Sequence, residues 1–70
     1  MIIGTIKSYE PEKGWGFIAS PQDGEIFVHT KGIEKSSRSL IKAGVKVGFV
    51  VIPSMKGFQA AHVRVISTED

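Results

Sequence analysis

The chain contains no cysteine among its 70 residues, and its only histidines are His29 and His62. The lack of thiols excludes a disulfide framework and a thiolate metal site, and it fits a reducing compartment. Neither histidine has a second ligand at a metal-binding spacing, so we expect no metal site. A domain of this size must therefore rely on a small hydrophobic core.

Long hydrophobic runs are missing as well. No stretch approaches the roughly 20 apolar residues of a membrane-spanning helix. Residues 1–9 include Lys7 and lack the unbroken apolar segment of a secretory signal. We therefore expect a cytoplasmic protein that does not bind a membrane.

Groupings of catalytic side chains are also lacking. Asp23 and Glu25 lie next to a turn and have no base or nucleophile as a partner. Ser36, Ser37 and Ser39 have no histidine or aspartate at a suggestive spacing, and no glycine-rich loop matches a nucleotide-binding motif. These absences predict that the protein is not an enzyme and has no cofactor and no small-molecule substrate.

The charge balance is weakly basic. Nine Lys and Arg against seven Asp and Glu give a formal net charge of +2. This excess permits a polyanionic partner, but many ordinary proteins share it. The positions of the charges therefore carry more information than their sum.

Eight glycines and three prolines divide the chain into short runs rich in Ile, Val, Phe and Thr. Such a pattern is typical of short strands joined by turns. Asp23-Gly24, Glu12-Lys13-Gly14 and Ser54-Met55-Lys56-Gly57 predict tight turns. Residues 30–45 are the longest irregular stretch and have room for a short helical turn. The pattern predicts one all-β domain over residues 1–70, a barrel or a sandwich. The predicted strands span residues 2–9, 15–20, 25–29, 46–53 and 58–66.

Side-chain alternation in the second and third strands predicts which face is buried. Trp15 and Phe17 share one face, while Glu25, Phe27 and His29 share a face of the next strand. Burying these rings would also bury a carboxylate and an imidazole, and an unpaired buried charge is costly. The opposite face carries only aliphatic side chains and glycine. We therefore expect the rings to face water over a core of Ile18, Ile26 and Val28.

Exposed rings beside Lys7 and Lys13 indicate a binding surface. Aromatic rings stack on single-stranded bases without reading sequence, and lysines pair with phosphates. The glycines on either side of Trp15 would let a ligand approach the backbone closely. The alternative is that the rings form part of a core or a self-association surface.

Two motifs resemble those of the cold-shock domain of bacterial cold-shock proteins. Lys13-Gly14-Trp15-Gly16-Phe17-Ile18 looks like the first RNA-binding motif of that family, with Trp where Phe is usual. Ile26-Phe27-Val28-His29 looks like the second motif. The likeness extends over nearly the whole chain, through Gly4, Lys7, Gly44, Val47 through Phe49, Lys56-Gly57 and Gln59-Ala60-Ala61.

This resemblance implies a five-stranded antiparallel β-barrel of the oligonucleotide-binding (OB) type. It also implies binding of single-stranded RNA or DNA, with a role as an RNA chaperone that modulates transcription or translation. The implied nucleic-acid contacts are Lys7, Lys13, Trp15, Phe17, Phe27, His29, Lys56, Phe58 and Gln59.

The chain departs from the family pattern at several aromatic positions. Ser8, Thr30 and Arg38 occupy positions where the family usually has rings, while Phe58 replaces a usual proline. A guanidinium can stack on a base and pair with a phosphate, so we add Arg38 to the predicted nucleic-acid site. The missing rings predict weaker binding and a shorter footprint.

The same departures motivate an alternative function, in which the fold is kept as a protein-interaction module with weakened nucleic-acid binding. Nucleic-acid binding should weaken with salt, whereas hydrophobic protein binding should not. We expect a monomer, with a strand-exchanged homodimer hinged at residues 30–45 as the alternative.

Overall fold

Five strands and two short 3₁₀ helices make up the computed structural model, which describes residues 1–21, 24–55 and 57–67. Neither helix is long or apolar enough to cross a membrane. Of the predicted turn residues, Asp23 and Lys56 lie outside the described part. In chain order the elements are β1 Ile2–Glu10, β2 Trp15–Ser20, β3 Gly24–His29, η1 Thr30–Gly32, η2 Lys35–Leu40, β4 Lys46–Ser54 and β5 Gly57–Ser67.

The strands close into a barrel in the order β1-β2-β3-β5-β4, with β4 paired back to β1. The predicted five-stranded all-β barrel is therefore confirmed. One pairing differs from the antiparallel expectation, because β3 and β5 run parallel. The two 3₁₀ helices carry the chain between β3 and β4 and allow β5 to enter beside β3 in the same direction. Closure reduces the length of unpaired strand edge in so small a domain.

The barrel interior is filled by aliphatic side chains and one ring. Ile18 and Val28 are fully buried, and Ile26 is 5% exposed, as the alternation in β2 and β3 predicts. Phe49 from β4 is 1% exposed and is the largest side chain in this core. The other buried hydrophobic residues are Ile6, Ile33, Ile41, Val45, Val47, Ala60 and Val63.

A β-bulge in β1 shifts the alternation of that strand. Ile6 lies opposite Ile18, but Ser8, not Lys7, lies opposite Phe17. Simple alternation predicts that Lys7 and Tyr9 share a face, but the bulge separates them. Lys7 is exposed, whereas Tyr9 packs against the core. A bulge adds one residue to a strand and reverses every side chain beyond it.

Gly16 is required by the close approach of β1 at this bulge. A Cβ at Gly16 would lie 2.2 Å from the Ser8 carbonyl oxygen and 2.7 Å from Tyr9 Cα. Glycine is favoured at position 14 for a different reason, since Gly14 adopts a φ of +79° in the β1–β2 turn. Both glycines therefore serve the barrel itself, and close approach of a ligand to them stays a prediction.

Replacement of Gly16 by alanine should destabilise the fold, because neither backbone atom that its Cβ meets can move without breaking the β1–β2 ladder. We expect Gly16→Ala to lower the free energy of unfolding by about 1–3 kcal/mol, as for other overpacked sites. Urea denaturation measures this directly. Ala19→Ser, at an exposed site on the same strand, should stay within about 0.5 kcal/mol of the unmodified protein. Equal stability of all three proteins would contradict the packing argument.

Candidate nucleic-acid interface

Three aromatic side chains form a contiguous ring cluster on the outer face of β2 and β3. Trp15, Phe17 and Phe27 define this cluster, and their ring centroids lie 6.0–6.1 Å apart. Phe17 lies directly opposite Phe27 in the β2–β3 ladder, so the backbone register places these two side by side. Both pairs that include Phe17 meet edge to face, an arrangement that aromatic pairs favour.

The ring cluster is half-buried rather than fully exposed. The rings lie outside the barrel, as predicted, but each covers part of its neighbours. Mutual contact recovers some of the free energy lost by leaving large apolar groups outside the core. It also limits the rotamers of the rings, so that the aromatic surface is formed without a ligand.

His29 lies beside the cluster, opposite Trp15 in the ladder. Its Nδ1 accepts a hydrogen bond from the Lys31 backbone N–H at 3.1 Å. A neutral imidazole that accepts at Nδ1 carries its proton on Nε2. The turn after β3 therefore prepares His29 to donate a hydrogen bond from Nε2 to an acceptor such as a base carbonyl.

Both lysines predicted to meet phosphate are paired with carboxylates. Lys7 forms an ion pair with Glu25, and Lys13 Nζ lies 3.6 Å from Glu10 Oε1. Lys13 also lies over the Trp15 ring, 5.9 Å from its centroid, within range of a cation–π contact. The four charges around the rings sum to zero, so this face is not the basic surface that the lysines alone predict.

Thr30 occupies a position where the family usually has an aromatic ring, and here its side chain has a structural partner. Its Oγ1 shares a hydrogen bond with the Tyr9 hydroxyl, and its backbone N–H donates to the Gly14 carbonyl at 2.8 Å. Tyr9 packs against the core below. Thr30 therefore joins the β1–β2 turn to the end of β3.

Arg38 lies on η2 and is half-buried. Its Nε donates to the Ile33 carbonyl at 3.1 Å, which braces the connection between β3 and β4. Within the described part of the chain, the ring contacts join Trp15, Phe17 and Phe27 only, and the one cation over a ring is Lys13. The structure therefore does not bring Arg38 into the ring cluster.

A groove of about 430 Å³ adjoins the cluster at Phe27. Phe58, which is 65% exposed, lines it together with Gln59 of the same strand. Gln59 lies opposite Phe27 in the parallel β3–β5 pair. The structure thus brings two of the three predicted residues near the β4–β5 turn to the rings, while Lys56 lies outside the described residues. Ser54 and Met55 complete the lining.

Sequence reasoning did not predict the ion pairs of Glu10 and Glu25. Glu25 shares a face with Phe27 by simple alternation, which is a signal that the sequence does contain. Glu10 reaches the ring face only because the bulge places it opposite Trp15. Among the described residues, no cluster of three or more His, Asp or Glu side chains could hold a metal ion.

A family model for the "'Cold-shock' DNA-binding domain" matches residues 2–66 of the chain. The chain belongs to the cold-shock domain family. Cold-shock proteins bind single-stranded nucleic acid and are not enzymes, so nucleic-acid binding is the general function of this family.

Curated cold-shock proteins from distant bacteria align with most of the chain. A "Cold shock-like protein" of Thermotoga maritima is 40% identical over 63 residues, covering 90% of this chain and 96% of its own. A "Probable cold shock protein A" of Mycolicibacterium smegmatis is 46% identical over 65 residues, with coverage of 90% and 96%. The "Cold shock protein CspC" of Bacillus subtilis is 38% identical over 61 residues, with coverage of 87% and 92%.

The hydrogen bond at His29 predicts its tautomer. We expect neutral His29 to carry its proton on Nε2, because Nδ1 accepts from Lys31 N–H. Two-dimensional ¹⁵N–¹H spectra of the imidazole ring distinguish the two tautomers, and His62 provides an internal comparison. A proton on Nδ1 of neutral His29 would contradict the arrangement described above.

Proposed function

We propose that the protein binds single-stranded RNA or DNA by stacking unpaired bases on the ring cluster. The observation that carries this proposal is three touching rings outside a barrel whose interior is already filled. Base–aromatic stacking contributes about 1–3 kcal/mol per base and tolerates any sequence. His29 adds a hydrogen-bond donor beside Trp15, and Gln59 adds an amide beside Phe27.

The proposal includes weaker binding than a family member with a full set of rings would show. Ser8 lies opposite Phe17 and offers no ring, Thr30 is bonded to Tyr9, and Arg38 is bonded to Ile33. Phe58 extends the aromatic surface from the side of the β4–β5 turn. Stacking thus concentrates on β2, β3 and the start of β5.

In the cell, this activity would be that of an RNA chaperone in the cytoplasm. Because the protein binds unpaired strands only, mass action shifts RNA away from weak hairpins without ATP. Opening such hairpins would in turn affect transcription or translation. Modest affinity suits this role, since the bound strand must be released again.

Loss of one ring should weaken binding without unfolding the barrel. We expect Phe27→Ala to raise the Kd for oligothymidylate or an RNA oligomer by about 5- to 150-fold, equivalent to one stacked base. Quenching of Trp15 fluorescence on titration measures this affinity. Ile3→Ala removes an exposed apolar side chain from β1 and should leave the Kd unchanged.

Two results would count against the proposal. One is unchanged affinity in folded Phe27→Ala, with folding checked by its melting curve. The other is no Trp15 quenching in the unmodified protein at high oligonucleotide concentration, which would favour the protein-interaction alternative.

Release of the lysines from their carboxylates should strengthen binding. Exposed ion pairs are worth about 0.2–1 kcal/mol, so we expect Glu10→Gln and Glu25→Gln each to lower the Kd by about 1.4- to 5-fold at low salt. The slope of log Kd against log salt should steepen by up to about 0.7 for each freed lysine. Glu12→Gln is the control, since it removes the same charge and Glu12 has no ion pair among the described residues. It is matched most closely to Glu10→Gln, because Glu12 follows Glu10 in the β1–β2 turn. If Glu12→Gln has as large an effect as the other two, net charge and not pairing limits affinity.

A further inference from the structure

A row of neighbouring side chains crosses the outer surface beyond the ring cluster. Phe17 lies opposite Phe27, Phe27 opposite Gln59, and Gln59 opposite Ile52. Residues opposite one another on paired strands lie on the same face of the sheet. The face that carries the rings therefore continues over β5 to β4, where Ile52 is 39% exposed.

A second groove lies at the far end of this row, with a volume of about 300 Å³. Gln59, Ala61 and Ile52 line it from the strands, and the chain from Lys31 to Glu34 lines it from the end of β3. That segment lies directly on β5, since a Cβ at Gly32 would be 2.8 Å from the Ala60 carbonyl oxygen. Gln59 lines both grooves, so the second groove adjoins the candidate interface.

The chemistry of this groove differs from that of the ring face. Ile52 and Ala61 offer apolar surface, and the Gln59 amide offers both a donor and an acceptor. Lys31 supplies a cation. Among the described residues the ion pairs are those of Lys7 and Lys13, so Lys31 is not neutralised in the way the ring-face lysines are, although Glu34 lines the same groove.

His62 provides an independent sign that the groove is more than a gap between strands. It is the one described non-glycine residue with a positive φ, at 54°. It lies in the β-bulge of β5, where the register shifts between Gly48 and Val50 of β4, and it lines the groove. Backbone strain and bulges cluster at functional sites, where they redirect side chains.

We propose that the groove between Lys31 and Ile52 binds one further nucleotide of the strand that stacks on the ring cluster. This inference rests on the proposed nucleic-acid function and adds a subsite to it. The base would lie on the apolar surface of Ile52 and Ala61 with its polar edge at Gln59. The ammonium group of Lys31 would contact the adjoining phosphate. The bound strand would thus cross the barrel from β2 towards β4.

Length dependence of affinity tests this subsite. Oligothymidylates of about four and about eight nucleotides fall within the range that one OB fold covers, and the shorter one can be accommodated by the ring cluster alone. We expect Lys31→Gln and Ile52→Ala each to weaken binding of the longer oligomer by about three- to tenfold while leaving the shorter one unchanged. Lys42→Gln, at an exposed lysine outside the grooves, and Ile3→Ala are the controls for charge and for apolar surface.

Each outcome separates the subsite from the proposed function. If the unmodified protein binds neither oligomer, the nucleic-acid function fails and the subsite with it. If it binds both but the folded groove variants weaken neither, or weaken both equally, the subsite is overturned and the ring cluster stands. An equal loss with Lys42→Gln would likewise overturn the subsite, because general electrostatic attraction would then explain the effect of Lys31.

Discussion

Packing of aliphatic side chains inside the barrel is the constraint on which the candidate interface depends. Because side chains alternate along a strand, burial of Ile18, Ile26 and Val28 leaves Phe17 and Phe27 outside. A barrel of this width is already filled by Phe49 and its aliphatic neighbours. The rings cannot enter the core, and they instead pack against one another. The same hydrophobic pattern that closes the fold thus leaves an aromatic surface outside it.

The charged side chains at this surface largely neutralise one another. Lys7 and Lys13 flank the rings, but Glu25 and Glu10 hold them in ion pairs. Each carboxylate competes with a phosphate for its lysine, so the proposed binding would depend more on base stacking than on these two lysines. The proposed stacking would favour unpaired strands, since a duplex offers phosphates but hides its base faces. A net charge of only +2 is consistent with this reading.

The elements that local pattern governs could be predicted from the sequence, and those that depend on long-range contacts could not. Alternation and turn residues predict the five strands within one or two residues of their bounds, and they predict which face of β2 and β3 is buried. The bulge between Ile6 and Ser8 could not be predicted, because nothing local signals the extra residue. The close approach that requires Gly16 follows from that bulge. The parallel β3–β5 pair could not be predicted either, since it depends on how the segment between β3 and β4 turns the chain.

Side-chain partners distant in sequence explain most of the differences at the candidate site. Thr30 pairs with Tyr9, 21 residues earlier, and Lys7 pairs with Glu25, 18 residues later. Arg38 looked like a substitute for a ring, but its bond to Ile33 O depends on the local path of η2. Residue type predicted the rings on this face, whereas the partner of each polar group required the fold.

Mapping of the bound strand by NMR tests the central claim most directly. ¹⁵N-labelled protein would be titrated with oligothymidylate while the amide and Trp15 indole signals are followed. The account predicts the largest shift changes at Trp15, Phe17, Phe27 and His29, with little change at Ile3, Gly48 and Ile66 on the β1–β4–β5 side. Changes concentrated at Ile3, Gly48 and Ile66, with the ring cluster unaffected, would contradict it.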